Sequence, residues 1–458
     1  MTERALPTSH GSRNRLFIAA VIVAGTIVAL IVWAVARETT VEKQIKLELA
    51  ELRAAGEPID AQDLARMFPD PPPEEDAALL FAKAFDIATN NRVSGLVPIV
   101  TTDAVPRTQK VDDVTLGRLA AFCATTAEIT NTLPRTVPAS ARFPMRWDQG
   151  MTNRGFIDFV RVRLLTQLIA THVVEATEAG DAERTAQMIE HGFHFTGTVN
   201  YDGFLVWHMI RHACDGLMCN VTERALNRTQ FTDAQLRRMS DALRDEGTND
   251  LRNCFHGEHG FAIWAFQAAQ AGMPSEQLFG WPSRPKPWWE HMWEKVHPGQ
   301  RYYSDADFLT YLRAIPQRLE FVSAPPLQAM AHAEKRTQEY NASVSTKVAE
   351  GAFPSAMKKA MANHAEAQAR VVLLRTSLAI ERYRLAHDGQ LPDSISALVP
   401  QYLAEVPRDP FDNRPLRLKK LPPGYSVYTV AADGVDDGGL EKNLAPGTNY
   451  DLTITIER

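Results

Sequence analysis

The C-terminal part of the chain constrains the fold most closely, because its apolar residues change from helical to strand spacing. They recur at helical intervals from Ala365 to Ala386, and Asp388-Gly389 supplies a common helix stop. Pro422-Pro423-Gly424 is a turn sequence. Alternating apolar and polar residues, typical of strands, occupy Leu416–Lys419, Tyr425–Val430 and Tyr450–Ile456. The pattern predicts one long helix packed against a small antiparallel sheet.

Several short motifs in this segment follow a fixed order. An Arg-Tyr pair precedes the glycine stop, a Leu-Val-Pro-x-Tyr-Leu element follows, and a Pro-x-Asp-Pro turn leads to an Asp-Gly loop. The positions are Tyr383, Gly389, Pro392, Leu398, Pro400, Tyr402, Leu403, Pro407, Asp409, Pro410, Asn413, Asp433 and Gly434. In order and spacing, the segment resembles the globular domain of the major pseudopilin of type II secretion.

The resemblance implies calcium binding by the Asp-Gly loop. Asp433, Asp436 and Asp437 offer three carboxylates between flexible glycines, and Asp451 can approach from the last strand. Carboxylate oxygens are the ligands that Ca²⁺ prefers. An Asp-Gly turn without an ion would explain the same residues, because both residue types tolerate left-handed backbone.

The resemblance is confined to this C-terminal segment, residues 363–458, which we call the module. Phe411-Asp412 stands where the family has Trp-Gly, and Ala431 replaces a loop glycine. The family also has a glycine directly before its apolar N-terminal run and a glutamate inside it, and this chain has neither. We therefore expect no prepilin processing. The layout resembles large membrane-anchored bacterial proteins that carry this module at the C-terminus.

An uninterrupted apolar run, Leu16–Ala36, predicts a membrane anchor. As a helix it spans about 31 Å, which matches a bilayer core of about 30 Å. A cleaved signal peptide is the alternative, but the run is long for one and only Ala34-Val35-Ala36 offers a weak cleavage site.

Lys and Arg are nearly balanced on the two sides of this run, so the positive-inside rule favours neither orientation strongly. We expect a short cytoplasmic tail, 1–15, and a single-pass signal anchor, 16–36, in the bacterial inner membrane. A helical ectodomain, 37–362, and the pseudopilin-like module, 363–458, would then lie in the periplasm.

The predicted ectodomain is mainly α-helical. Gly155–Thr177 and Ala182–Phe195 flank Gly180-Asp181, and together they resemble one tetratricopeptide-type hairpin, although no regular repeat is found. Further helices are predicted over 42–55, 74–90, 114–133 and 204–226, and from Thr232, whose Gln235 completes a capping box. The expected fold is a membrane anchor plus a helical bundle with a small C-terminal α+β module.

An aromatic segment, 281–303, combines Trp281, Trp288, Trp289 and Trp293 with several prolines. One interpretation is a rigid loop whose rings close the bundle. The other is an exposed platform for sugar, peptide or membrane.

Two histidine groups are candidate metal sites. His256, Glu258 and His259 differ from the HExxH metalloprotease spacing, so a helix-surface or capping role is the alternative. The second group recurs at helical spacing and consists of His191, His194, His208 and His212. These histidines could bind metal or haem, or line a helix pair. The four cysteines form no zinc pattern and are expected to be buried thiols or to include one disulfide.

Composition and the absence of certain motifs argue against several classes of function. A net charge of −6 and a pI of about 6.1 argue against nucleic-acid binding. No nucleotide-binding loop or nucleophile motif occurs. We therefore expect a non-enzymatic envelope protein that contacts other envelope proteins, linked to type II secretion or pilus-like machinery. The alternatives are an envelope enzyme or sugar-binding protein that uses the aromatic segment, and a tetratricopeptide-like scaffold.

Overall fold

The computed structural model describes most of the chain after residue 40. The described residues are 40–90, 106–147, 158–199, 203–243, 251–271, 305–342, 348–441 and 450–458, together with Thr26 and Met273. Two compact units are present: residues 1–57 with 266–315, and residues 58–265 with 316–458.

The described part is mainly helical, as predicted, with one small sheet. The helices are α1 (40–54), α2 (Ala61–Met67), α3 (Ala77–Leu80), α4 (Ala82–Asn90), α5 (Asp113–Thr125), α6 (Ile129–Thr132), α7 (Asp158–Glu178), α8 (Ala182–Thr196), α9 (Leu205–Arg228), α10 (Asp233–Ala242), α11 (Leu251–Gln270), α12 (Asp305–Val322), α13 (Pro326–Ala342) and α14 (Val348–Ala386). The strands are β1 (Arg417–Lys420), β2 (Tyr425–Thr429) and β3 (Leu452–Ile456).

In the first unit, α1 is joined to α12 by an ion pair, with 2.7 Å between Glu48 Oε1 and Arg313 Nε. The Phe266 and Phe308 rings stack 4.5 Å apart. Within the described ranges, every helix is too short or too polar to cross a bilayer. Leu16–Ala36, apart from Thr26, lies outside those ranges.

The second unit is organised around the hairpin of α7 and α8, which the sequence predicted. Gly180 takes a positive φ of 74° at the turn, and the Asp181 side chain caps α8. Leu165, Ile169 and Val173 recur every four residues on α7 and are fully buried. Since α9 packs against both helices of the hairpin, it lies at the centre of this unit.

Some predicted helix boundaries were wrong. The helix expected over 74–90 begins only at Ala77, where Asp76 is the N-cap, and it is interrupted at Phe81. That ring packs edge-on against Phe195, 4.7 Å away, so a tertiary contact accompanies the break. The capping box of Thr232 and Gln235 is confirmed.

The predicted C-terminal helix and antiparallel sheet are present. The sheet order is β1-β2-β3, with Tyr425 opposite Ile456. β2 and β3 pack on α14, and the Tyr425 hydroxyl donates to the Ser377 carbonyl at 3.1 Å. The helix is longer than expected and contains the predicted domain boundary at residue 363.

One short helix and the cysteines complete the description of this unit. The short element after Ser394 is a 3₁₀-helix, Ile395–Leu398, and the Ser394 hydroxyl bonds to that of Ser396 instead of capping it. All cysteine thiols are buried and none forms a disulfide; they are Cys123, Cys214, Cys219 and Cys254.

Candidate metal centre and the docked C-terminal sheet

Three histidines from two helices converge inside the second unit. His208 and His212 lie one turn apart on α9, and α14 supplies His364. Their nitrogen ligand atoms all lie within 4.8 Å of one another. The His208 Nε2 and His364 Nδ1 atoms are 3.1 Å apart, and the His208 and His212 ring centroids are 3.8 Å apart.

Burial favours the uncharged form of two of these imidazoles. It lowers the pKa of His208 and of His212 well below the ordinary value, and the neighbouring histidines and Arg211 act in the same direction. The Arg211 charge is compensated by Asp215, since Arg211 Nε lies 3.2 Å from its carboxylate. A neutral imidazole presents the lone pair that a metal ligand needs.

The other predicted histidines do not join this group. Burial lowers the pKa of His191 on α8. No described cluster of three metal-binding side chains includes it or His194. On α11, Glu258 accepts a 3.0 Å hydrogen bond from the backbone N–H of Leu205.

The group formed by His256, Glu258 and His259 on α11 therefore contributes to packing. Glu258 satisfies a donor in the first turn of α9, as the capping interpretation requires. Burial lowers the pKa of His259 to about 3. Gly257 lies so close to Gly203 that an added Cβ would approach the Gly203 oxygen to 1.6 Å.

The predicted calcium residues occupy one loop but hold different partners. Asp433 accepts from the N–H of Val435, and Asp436 accepts from the N–H of Gly438 and pairs with Arg417 at 3.0 Å. These carboxylates do not form a group of three ligand atoms as close as the histidines.

Two buried carboxylate oxygens near this loop lack a hydrogen-bond partner within the described part of the chain. They belong to Asp437 and Asp451. The other Asp451 oxygen accepts from the N–H of Gly439 at 2.7 Å. Burial and the Asp436 and Asp437 charges raise the pKa of Asp451. Oxygen donors of this kind fit a hard cation, so calcium remains a prediction.

The predicted aromatic platform cannot be placed. Trp281, Trp288, Trp289 and Trp293 lie outside the described residues.

One edge of the C-terminal sheet is docked on α9. The N–H of Thr455 donates to Glu223 at 2.8 Å. The Asn227 amide donates to the Thr455 carbonyl, and its oxygen accepts from the N–H of Glu457, both at 2.8 Å. Side chains one helical turn apart thus take the place of a neighbouring strand.

Arg107 reinforces this edge from a preceding loop. Its guanidinium pairs with both oxygens of Glu441, at 2.8 and 2.9 Å, and with Glu457 at 2.9 Å. Glu223 lies 3.6 Å away. Burial raises the pKa of Glu223 to about 7 despite the Arg107 charge.

The C-terminal residue forms a second clamp. Arg458 donates to the carbonyl of Leu226 on α9 and to Glu381 on α14. Arg384 holds the other Glu381 oxygen at 2.9 Å. α9 and α14 are therefore joined beneath the sheet.

Sequence reasoning identified His208 and His212 but missed His364. It lies near the buried apolar residues Met361 and Ala365 of α14, and an isolated histidine on an apolar helical stretch was the available signal. The chain matches no protein-family description, no curated protein and no solved structure.

Proposed function

We propose that this chain is a non-enzymatic component of the bacterial envelope that contacts other proteins through its C-terminal module. Leu16–Ala36 would anchor it in the inner membrane, and the remainder would lie in the periplasm. The partners would belong to type II secretion or pilus-like machinery. The α7–α8 hairpin supports a tetratricopeptide-like scaffold as the helical part of this protein.

The docked sheet edge is the observation that carries the proposal. Because α9 already holds the outward-facing backbone of Thr455, β3 offers no free edge for another strand at this position. The module is consequently attached to the helical body through α9. This arrangement suits a fixed contact surface better than a subunit that polymerises through its edge.

The opposite side of the sheet provides that surface. β1 is the other edge strand. The Asp-rich loop is attached there by the Arg417–Asp436 ion pair and by a 2.8 Å bond from Lys419 to the Gly438 carbonyl. Val435 projects from this loop and is 45% exposed. An apolar side chain surrounded by polar groups resembles, on a small scale, the apolar centre and polar rim of a contact site.

Cross-linking in intact cells, followed by purification of the tagged full chain from membranes, tests the proposal. We expect components of secretion or pilus machinery to be enriched and to be lost with Val435→Arg. Leu79→Arg is the matched control, since Leu79 is also exposed but lies on α3. Absence of such components from the wild-type sample would refute the link to secretion and leave only the scaffold.

A further inference from the structure

The three-histidine cluster has no role in the proposed contacts, and its geometry points to a ligand. Two nitrogens bound to one tetrahedral ion at 2.0–2.1 Å lie about 3.3 Å apart. His208 Nε2 and His364 Nδ1 share a hydrogen bond at 3.1 Å, close to this separation, and a bound ion would displace the proton between them. His212 lies within the same 4.8 Å group. Small side-chain rotations would therefore complete a three-nitrogen site.

The three imidazole ligands favour one class of metal ion. All three ligands are imidazoles, which suit zinc, cobalt, nickel and copper, whereas calcium and magnesium require oxygen. The cluster is thus chemically distinct from the Asp433–Asp437 loop.

The surroundings of the cluster suit a bound ion with one open position. His208 is fully buried and His364 is 9% exposed, while His212 is half-buried. Both ring nitrogens of His212 are themselves buried, so the ion would be enclosed between α9 and α14, and a water or anion held there would complete its coordination.

We propose that His208, His212 and His364 bind one divalent transition-metal ion of the zinc class, which fastens α9 to α14. This site is independent of the proposed envelope contacts.

The position of the site explains what the ion would do. On α9, His208 precedes Leu226 by about 27 Å of helix. On α14, His364 precedes Glu381 by about 26 Å. The Arg458 side chain bonds to both Leu226 and Glu381. The two helices are thus parallel and of matched span, held by the Arg458 clamp at one end and by the histidines at the other.

Metal binding can be measured on the full chain, purified in detergent without a histidine tag and stripped with a chelator. Zn²⁺ is titrated by calorimetry, and Co²⁺ by the visible absorption that a tetrahedral nitrogen site produces. We expect one equivalent of either ion to bind and the unfolding temperature to rise. His364→Gln and His212→Gln should each weaken binding by at least tenfold.

His172→Gln is the matched control, because His172 is also buried but bonds to Thr126, the residue that caps the end of α5. It should bind metal like the wild type. Far-UV circular dichroism of each metal-free variant establishes that it is folded, and His212→Gln provides a milder change than His364→Gln. The proposal is overturned if the wild type binds no stoichiometric metal, or if folded His364→Gln and His212→Gln bind it unchanged.

Discussion

Replacing Asn227 by alanine should release the C-terminal sheet from α9. The side chain is 9% exposed and satisfies two backbone groups of β3 and the residue that follows it. Thr455 is buried, so water cannot readily replace the lost donor to its carbonyl. Glu457 is exposed, and its N–H can turn to solvent more easily.

The magnitude follows from these two groups. A buried acceptor left without a partner costs about 1–3 kcal/mol, and loss of an exposed hydrogen bond costs about 0.5–1.5 kcal/mol. Together they give roughly 1.5–4.5 kcal/mol for Asn227→Ala, with a midpoint of about 3 kcal/mol. Asn227→Asp should cost a similar amount, because it keeps the acceptor for Glu457 but places a second acceptor against the Thr455 carbonyl.

Native-state hydrogen exchange of a C-terminal peptide that covers β3 measures this effect locally. A loss of about 3 kcal/mol accelerates exchange roughly 160-fold where exchange reports the opening equilibrium. Asn131→Ala is the control, since Asn131 is exposed on α6. Equal exchange in the two alanine variants would show that α9 does not hold the sheet through Asn227, and the reasoning would fail.

Three further changes test other parts of the structure. Burial raises the pKa of Glu223 to about 7 from an ordinary 4.5, so between these values the folded state keeps a proton that the unfolded state has released. The free energy of unfolding should fall by on the order of 3 kcal/mol as the pH rises through this window, and Glu223→Gln should flatten the fall in denaturation curves. An unchanged slope would contradict this assignment. Gly257→Ala should cost about 3 kcal/mol or more, because its Cβ would lie 1.6 Å from the Gly203 oxygen. Gly216→Ala, with no atom within 4 Å, should instead stabilise by about 0.5–1 kcal/mol in the same assay, and similar effects would count against the close packing. Calcium should raise the unfolding temperature of the full chain, and Asp437→Asn should reduce that rise; no heat and no thermal shift in calorimetry would end the calcium hypothesis.

Sequence patterns predicted those helices and strands that begin or end through interactions between residues close together in the chain. Gly180 and Asp181 end one helix and begin the next through backbone freedom and a side-chain cap. Alternation over 425–430 and 450–456 predicted β2 and β3, because successive side chains of a strand point to opposite faces of the sheet. These features need no knowledge of which elements meet in space.

Features that depend on distant contacts could not be predicted in this way. The helix break at Phe81 accompanies its contact with Phe195, and the position of Glu258 beside Leu205 depends on the packing of α11 against the start of α9. His364 joins His208 only because α14 lies against α9. Spacing along one helix identified the first two ligands and had no means of identifying the third.

The docked edge also ties the C-terminal sheet to the helices that precede it. The long helix of the module is the C-terminal part of α14, whose earlier part carries His364. If the chain were cut at residue 363, β3 would lose Glu223 and Asn227 and expose the Thr455 backbone. Such an edge readily recruits another strand. In the intact chain α9 fills that position at Thr455, and under the proposed function the β1 side would then be the one left for partners.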